Sequence, residues 1–132
     1  MADPKVLIVD DARFMRMMLV NLLSKSGFEV AGEAADGREA VTKYIETRPD
    51  VVSLDIMMPN TDGLAALKQI LAHDPEARVV IVSAMGHASM VKDALDLGAV
   101  EYIVKPFSPQ RIVDVLKRAA RRKVLAEDKS GE

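Results

Sequence analysis

The chain has 132 residues, 49% hydrophobic and 29% charged, with a net charge of −2 and no cysteine. That length suits one domain with a substantial core, and the near-neutral balance gives no reason to expect nucleic acid as a partner. Disulfide and thiol chemistry are excluded. No apolar stretch is long enough to span a bilayer, and Met1-Ala-Asp-Pro-Lys5 is no signal peptide, so a cytoplasmic protein without membrane insertion is expected.

In chain order, the apolar run Lys5–Val9 predicts a buried strand that stops at Asp10 and Asp11. Phe14, Met15, Met18, Leu19, Leu22 and Leu23 recur at helical spacing and predict a first helix, ended by Ser26-Gly27. Phe28–Glu33 predicts a short second strand. Asp36-Gly37 starts a second helix, with Ala40, Val41, Tyr44 and Ile45 facing inward, and Pro49-Asp50 breaks it. Val51–Leu54 predicts a third strand ending at Asp55. A loop over residues 59–63 follows, then a helix with Leu64, Leu67, Ile70 and Leu71. Arg78–Val82 predicts a strand ending at Ser83. Met90, Val91, Ala94, Leu95 and Leu97 form the next helix face, stopped by Gly98. Val100–Val104 predicts a fifth strand ending at Lys105-Pro106. Ser108-Pro109, a cap followed by proline at the first helical position, opens a helix with Ile112, Val113, Leu116, Ala119 and Ala120 inward. One domain over residues 1–123 is expected, with a polar, frayed tail over 124–132.

Repeated strand–helix units predict an α/β fold, a doubly wound five-stranded parallel sheet. The order 2-1-3-4-5 is favoured because it puts strands one and three side by side. Parallel strands share one C-terminal edge, where ligands bind in open α/β sheets. Asp10, Asp11, Asp55, Ser83 and Lys105 would meet there. Taken singly, Asp10-Asp11 reads as a helix cap, Asp55 and Ser83 as turn formers, Lys105 as a solvated strand end and Tyr102 as packing. Together, in register at the ends of the strands, they read as a site.

Clustered carboxylates repel, and one of them would have to keep a proton unless a cation joined them. An all-oxygen site suits Mg²⁺, with Mn²⁺ as a substitute; His73 and His87 are too scattered to bind metal. Mg²⁺ commonly shares the oxygens of a phosphate, which Ser83 and Lys105 could contact. A carboxylate can itself be the nucleophile, forming an acyl phosphate. Asp55 stands alone at its strand end and is the candidate phosphoacceptor, whereas Asp10 and Asp11 are paired to hold metal.

These residues resemble the receiver domains of two-component response regulators over nearly the full chain. The matching stretches are Val9-Asp-Asp11, Asp55–Gly63, Ser83-Ala84 and Lys105-Pro-Phe107. Asp11–Met18 and Ser83–Gly86 further resemble stand-alone chemotaxis regulators. The resemblance implies the flavodoxin-like, CheY-like sheet, an order already known from flavodoxin and CheY. It implies that Asp55 accepts a phosphoryl group from a histidine kinase of the chemotaxis (CheA-like) type. Asp11, Asp55 and the Met57 carbonyl would bind Mg²⁺ directly, and Asp10 through water. Ser83 and Lys105 would contact the phosphoryl oxygens, Tyr102 would be the aromatic switch, and the Lys105–Pro106 bond would be cis. In many receivers the side chains two residues after Asp55 and Ser83 flank the phosphoryl group. Here they are Met57 and Met85, which predicts slow self-dephosphorylation and a separate phosphatase.

The implied protein is a monomeric phosphorylation-controlled binding module, not an enzyme, whose output target would be a flagellar motor switch protein. One alternative is a receiver in another phosphorelay, or one cut from a longer regulator. A remoter one is a phosphatase of the haloacid-dehalogenase type, which places its nucleophile in an Asp-x-Asp pattern after strand one; here that strand ends in Asp10-Asp11-Ala12. The eight methionines read mainly as core filling, Met15, Met18 and Met90 among them. Arg118, Arg121, Arg122 and Lys123 read as a solvated helix end that complements the helix dipole.

Overall fold

The computed structural model describes residues 3–58 and 61–130, and the side chains of 3–58 and 63–121. Strands β1 (Lys5–Val9), β2 (Glu29–Ala34), β3 (Val51–Leu54), β6 (Val79–Ser83) and β7 (Glu101–Val104) form one sheet. Its order is β2-β1-β3-β6-β7, with every pairing parallel. Counted within that sheet, this is the expected order 2-1-3-4-5. Each strand lies within a residue of its predicted place.

Alternation along the strands divides the core into two layers. Leu7, Val9, Val52, Leu54, Val79 and Ile81 face one way, onto helices α2 (Gly37–Thr47), α3 (Gly63–His73) and α4 (Ala88–Leu97). Val6, Ile8, Val51, Val80 and Val82 face the other way, onto α1 (Arg13–Lys25) and α5 (Pro109–Ser130). β3 and β6 are buried throughout. Truncating one of these side chains to alanine would cost about 2–5 kcal/mol, lost transfer energy plus a cavity.

The caps hold the helices where the sequence put them. Asp36 Oδ1 accepts from the Glu39 N–H at 2.8 Å and opens α2. Ser108 Oγ accepts from the Arg111 N–H at 3.1 Å and opens α5. Each cap contributes about 0.5–2 kcal/mol. Gly98 ends α4 at φ 119°, a left-handed conformation that a side chain rarely adopts.

Four predicted inner-face residues are exposed: Phe14 (80%), Met18 (38%), Ile45 (40%) and Leu95 (43%). Met18, Ile45 and Leu95 lie off the centre of their helices' apolar stripes, where Leu19 and Leu23, Ala40 and Tyr44, and Ala94 are buried, while Phe14, in the first turn of α1, lies nearly opposite Leu19 and Leu23. Met18 is therefore not core filling. The predicted loop after β3 contains a short antiparallel hairpin, β4 (Met57–Met58) with β5 (Thr61–Asp62), and Gly63 already begins α3. Pro59 and Asn60 lie outside the described residues. The backbone of α5 continues through Ser130, where a frayed tail was expected from residue 124. Leu125, Ala126, Glu127 and Lys129 in that stretch are good helix formers. The side chains of Arg122 and Lys123 lie outside the description, as do residues 131–132.

Candidate functional site

The C-terminal ends of β1, β3, β6 and β7 bring the predicted residues to one edge. Main-chain bonds extend the sheet one step past the strands. The Asp55 N–H donates to the Val9 carbonyl at 3.0 Å, and the Lys105 N–H to the Ser83 carbonyl at 2.8 Å. The nucleophile candidate and the lysine are thus placed by the backbone as well as by packing.

One carboxylate oxygen each from Asp10, Asp11 and Asp55 lies within 4.8 Å of the others. Asp10 and Asp55 are buried and Asp11 is exposed. Lys105 Nζ donates to Asp10 Oδ2 at 2.7 Å and to Asp55 Oδ2 at 3.2 Å. The remaining oxygens are held by nearby backbone. Asp10 Oδ1 accepts from the Ala12 N–H and Asp55 Oδ1 from the Met57 N–H, both at 2.9 Å.

Burial pushes the Asp55 carboxyl up, and the Asp10 charge adds to this. The Met57 N–H and the Lys105 ammonium pull the other way without cancelling it. Burial lowers Lys105, but the hydrogen bond to Asp10 and the charges of Asp55 and Asp10 outweigh that, so the ammonium is held more firmly than usual. One ammonium facing three carboxylates leaves the pocket short of positive charge. Its donors are all oxygen. That is the chemistry of a hard divalent-cation site.

Ser83 and Tyr102 stand beside this cluster and share one partner. Ser83 Oγ accepts from the Met85 N–H at 3.1 Å, and the Tyr102 hydroxyl donates to the Met85 carbonyl. Tyr102 is half-buried against the core. Burial and, more weakly, the Asp55 charge raise its hydroxyl, against a lowering by the neighbouring Ser83. Met57 is half-exposed at 50%. The Lys105–Pro106 peptide bond is cis.

Sequence reasoning missed two features. Lys105 was assigned to a phosphoryl group, yet it binds Asp10 more closely than it binds Asp55. Arg16 was not singled out, yet its guanidinium donates to the Asp10 carbonyl at 2.7 Å and faces Glu33 at 3.5 Å. Its place one helical turn after the acid pair was the only available signal.

The family model for the response regulator receiver domain matches residues 6–117. The chemotaxis protein CheY of Thermotoga maritima is 52% identical over 117 residues, which are 89% of this chain and 98% of that one. CheY of Listeria monocytogenes is 55% identical over the same shares. Among solved structures, CheY in the CheX–CheY–BeF3–Mg²⁺ complex of Borrelia burgdorferi is 41% identical, with a TM-score of 0.83 over 86% of each chain. The match spans every strand of the sheet and all four strand ends that build the acidic site, and on that ground the chain belongs to the response regulator receiver domain family.

Proposed function

We propose that this chain is a single-domain response regulator that carries a chemotaxis signal as an acyl phosphate on Asp55. The observation that carries the reading is the convergence of Asp10, Asp11, Asp55 and Lys105 at the carboxyl edge of the sheet. The close match to chemotaxis regulators supports the pathway.

Asp11, Asp55 and the Met57 carbonyl would hold Mg²⁺ directly, with Asp10 acting through water. The all-oxygen donor set and the surplus of negative charge fit the ion, and a solved relative is a complex with Mg²⁺. When bound, the ion neutralises charge on the transferring phosphoryl group. Asp55 attacks the phosphorus of a phosphohistidine in line. An O–P bond forms as the N–P bond breaks, and the imidazole leaves with the bonding pair and takes up a proton. Lys105 turns from Asp10 toward a phosphoryl oxygen, and Ser83 donates its hydroxyl proton to another. The product carries about −1.5 to −2 charges on its phosphoryl oxygens beside Ser83, in place of the single charge of the carboxylate it consumes. Movement of Ser83 disturbs its bond to Met85, and Tyr102 shares that residue, so the β6–α4 loop and β7 respond together.

The kinase would be of the chemotaxis type, the target a flagellar motor switch protein and the setting the cytoplasm. The chain would act as a monomer. Met57 and Met85 offer the attacking water only thioethers, so the phosphoryl group would leave slowly and a separate phosphatase would end the signal. The site chemistry is tested by incubating the protein with acetyl phosphate and Mg²⁺ and measuring intact mass. Wild type should gain one phosphoryl group and Asp55→Asn none; an undiminished gain in the variant would overturn the assignment.

A further inference from the structure

Among the described residues, Met57 is the one whose own N–H binds the Asp55 carboxylate, and it carries an oxidisable side chain. It is 50% exposed, while its neighbour Met58 is buried. Met15, Met85 and Met90 are half-buried. Met17 is comparably exposed at 58%, but it lines a groove on α1 with Val20, Asn21, Ser24 and Glu33, none of them a residue of the Asp10, Asp11 and Asp55 cluster. An exposed thioether is therefore carried by the residue whose backbone nitrogen lies 2.9 Å from Asp55 Oδ1.

We propose that Met57 is a site of reversible oxidation by hydroperoxides, and that its sulfoxide shortens the life of the acyl phosphate on Asp55. This rests on the phosphoacceptor reading above. In the oxidation the sulfur attacks the outer peroxide oxygen. The S–O bond forms, the O–O bond breaks, and the hydroperoxide leaves as an alcohol, or as water from hydrogen peroxide. Sulfur loses two electrons and the peroxide gains them. A thioether is a weak hydrogen-bond acceptor, whereas a sulfoxide oxygen is polar and accepts well. Placed beside Asp55, that oxygen accepts a hydrogen bond from the water that attacks phosphorus and holds it in line. It takes no part in bond making; Met57 acts by positioning. The gain should be on the order of three- to tenfold, below the 10²–10⁴ of a positioned general acid or base, because the side chain is flexible and half in water.

The test treats the full chain with substoichiometric hydrogen peroxide and locates the added oxygen by peptide mass spectrometry. The protein is then phosphorylated with acetyl phosphate and Mg²⁺, the donor is removed, and decay of the phosphoprotein is followed. Wild type, Met57→Leu and Met17→Leu are each compared with their own untreated sample. Faster decay is expected after oxidation of wild type and Met17→Leu, not of Met57→Leu. Reduction by a methionine sulfoxide reductase should restore the slow decay. Oxidation that spares Met57 while reaching the buried Met58, or an acceleration that persists in Met57→Leu, would overturn the proposal. If untreated wild type gains no phosphoryl group on Asp55, the proposed function falls and this inference with it. If it does, and oxidation leaves decay unchanged, this inference alone falls.

Discussion

Lys105 Nζ sits 2.7 Å from Asp10 and further, at 3.2 Å, from Asp55. The lysine therefore serves first as the internal counter-charge of a buried carboxylate. Removing it leaves the acids facing one another. Lys105→Met should lower the stability of the metal-free protein by about 1–3 kcal/mol, less than the 3–5 of a fully buried broken pair. Saturating Mg²⁺ should recover much of that loss, because the ion binds the folded state alone. Thermal melts with and without Mg²⁺ measure both effects, and an equal loss in both conditions would contradict this account.

Asp10 and Asp11 should separate in the same kind of experiment. Asp11 is exposed at the mouth of the cluster, whereas Asp10 is buried against Lys105. Asp11→Asn should weaken Mg²⁺ binding the more, by deleting a direct ligand, and change stability little. Asp10→Asn should cost stability by weakening the partner of Lys105. Calorimetric titration paired with denaturation of each variant measures both; a larger loss of Mg²⁺ affinity in Asp10→Asn would reverse the ligand roles.

Tyr102 touches the Met85 carbonyl and no carboxylate oxygen among its described bonds. Tyr102→Ala should accept phosphate from acetyl phosphate at a near-normal rate. It should lose the rise in partner affinity that phosphorylation brings. Failure to be phosphorylated would place Tyr102 in the chemistry instead.

Met57 and Met85 stand two residues beyond Asp55 and Ser83. Met57→Asn and Met85→Glu should each speed loss of the phosphoryl group several-fold, since amide and carboxylate oxygens can orient water. Decay rates at saturating Mg²⁺ test this, and rates at or below wild type would refute it while leaving the Asp55 assignment intact.

Tyr44 gives a pH signature far from the site. Tyr44 is a buried residue of α2, and its hydroxyl donates to Asp74 Oδ2 at 2.6 Å. Burial first, then the bond to Asp74 and its charge, push the hydroxyl well above its ordinary value. The folded chain keeps a proton that the unfolded chain releases near pH ~10. The resulting stability is complete below that pH and is lost as pH rises toward the folded value. Tyr44→Phe should cost about 1.5 kcal/mol at neutral pH, the low end for a hydrogen bond to a charged group because Asp74 is partly exposed. It should also flatten the alkaline fall in stability. Urea midpoints from pH 7 to about 10.5 test the slope, and an unchanged slope would exclude Tyr44 as its source.

The sheet and the acid cluster were legible because a buried parallel strand is a run of apolar residues that stops at a polar one. Asp10, Asp55, Ser83 and Lys105 each mark such a stop. The helix faces were less legible. Apolar residues at Phe14, Met18, Ile45 and Leu95 fit a helical period, but a helix packed on a sheet buries only a stripe, and periodicity does not fix its edges. The Lys105–Asp10 pair joins residues 95 apart in sequence, and no local pattern reports which of two acids an ammonium will choose. A helical backbone through Ser130 was not read from the sequence because the polar composition pointed to a tail, although Leu125, Ala126, Glu127 and Lys129 are good helix formers.

The ladder bonds that Asp55 and Lys105 make to Val9 and Ser83 have a dynamic consequence. The Asp55 amide bridges the central strands β3 and β1 and should exchange with solvent chiefly through the opening that dismantles them, whereas Lys105 continues the edge strand β7 and its amide should be released when β7 parts from β6. The backbone under Asp55 should thus belong to the slowest-exchanging part of the molecule. Any motion that follows phosphorylation would be left to side chains and to the segment from Ala84 to His87, which leads into α4. One half of the pocket behaves as a fixed anvil and the other as the moving part.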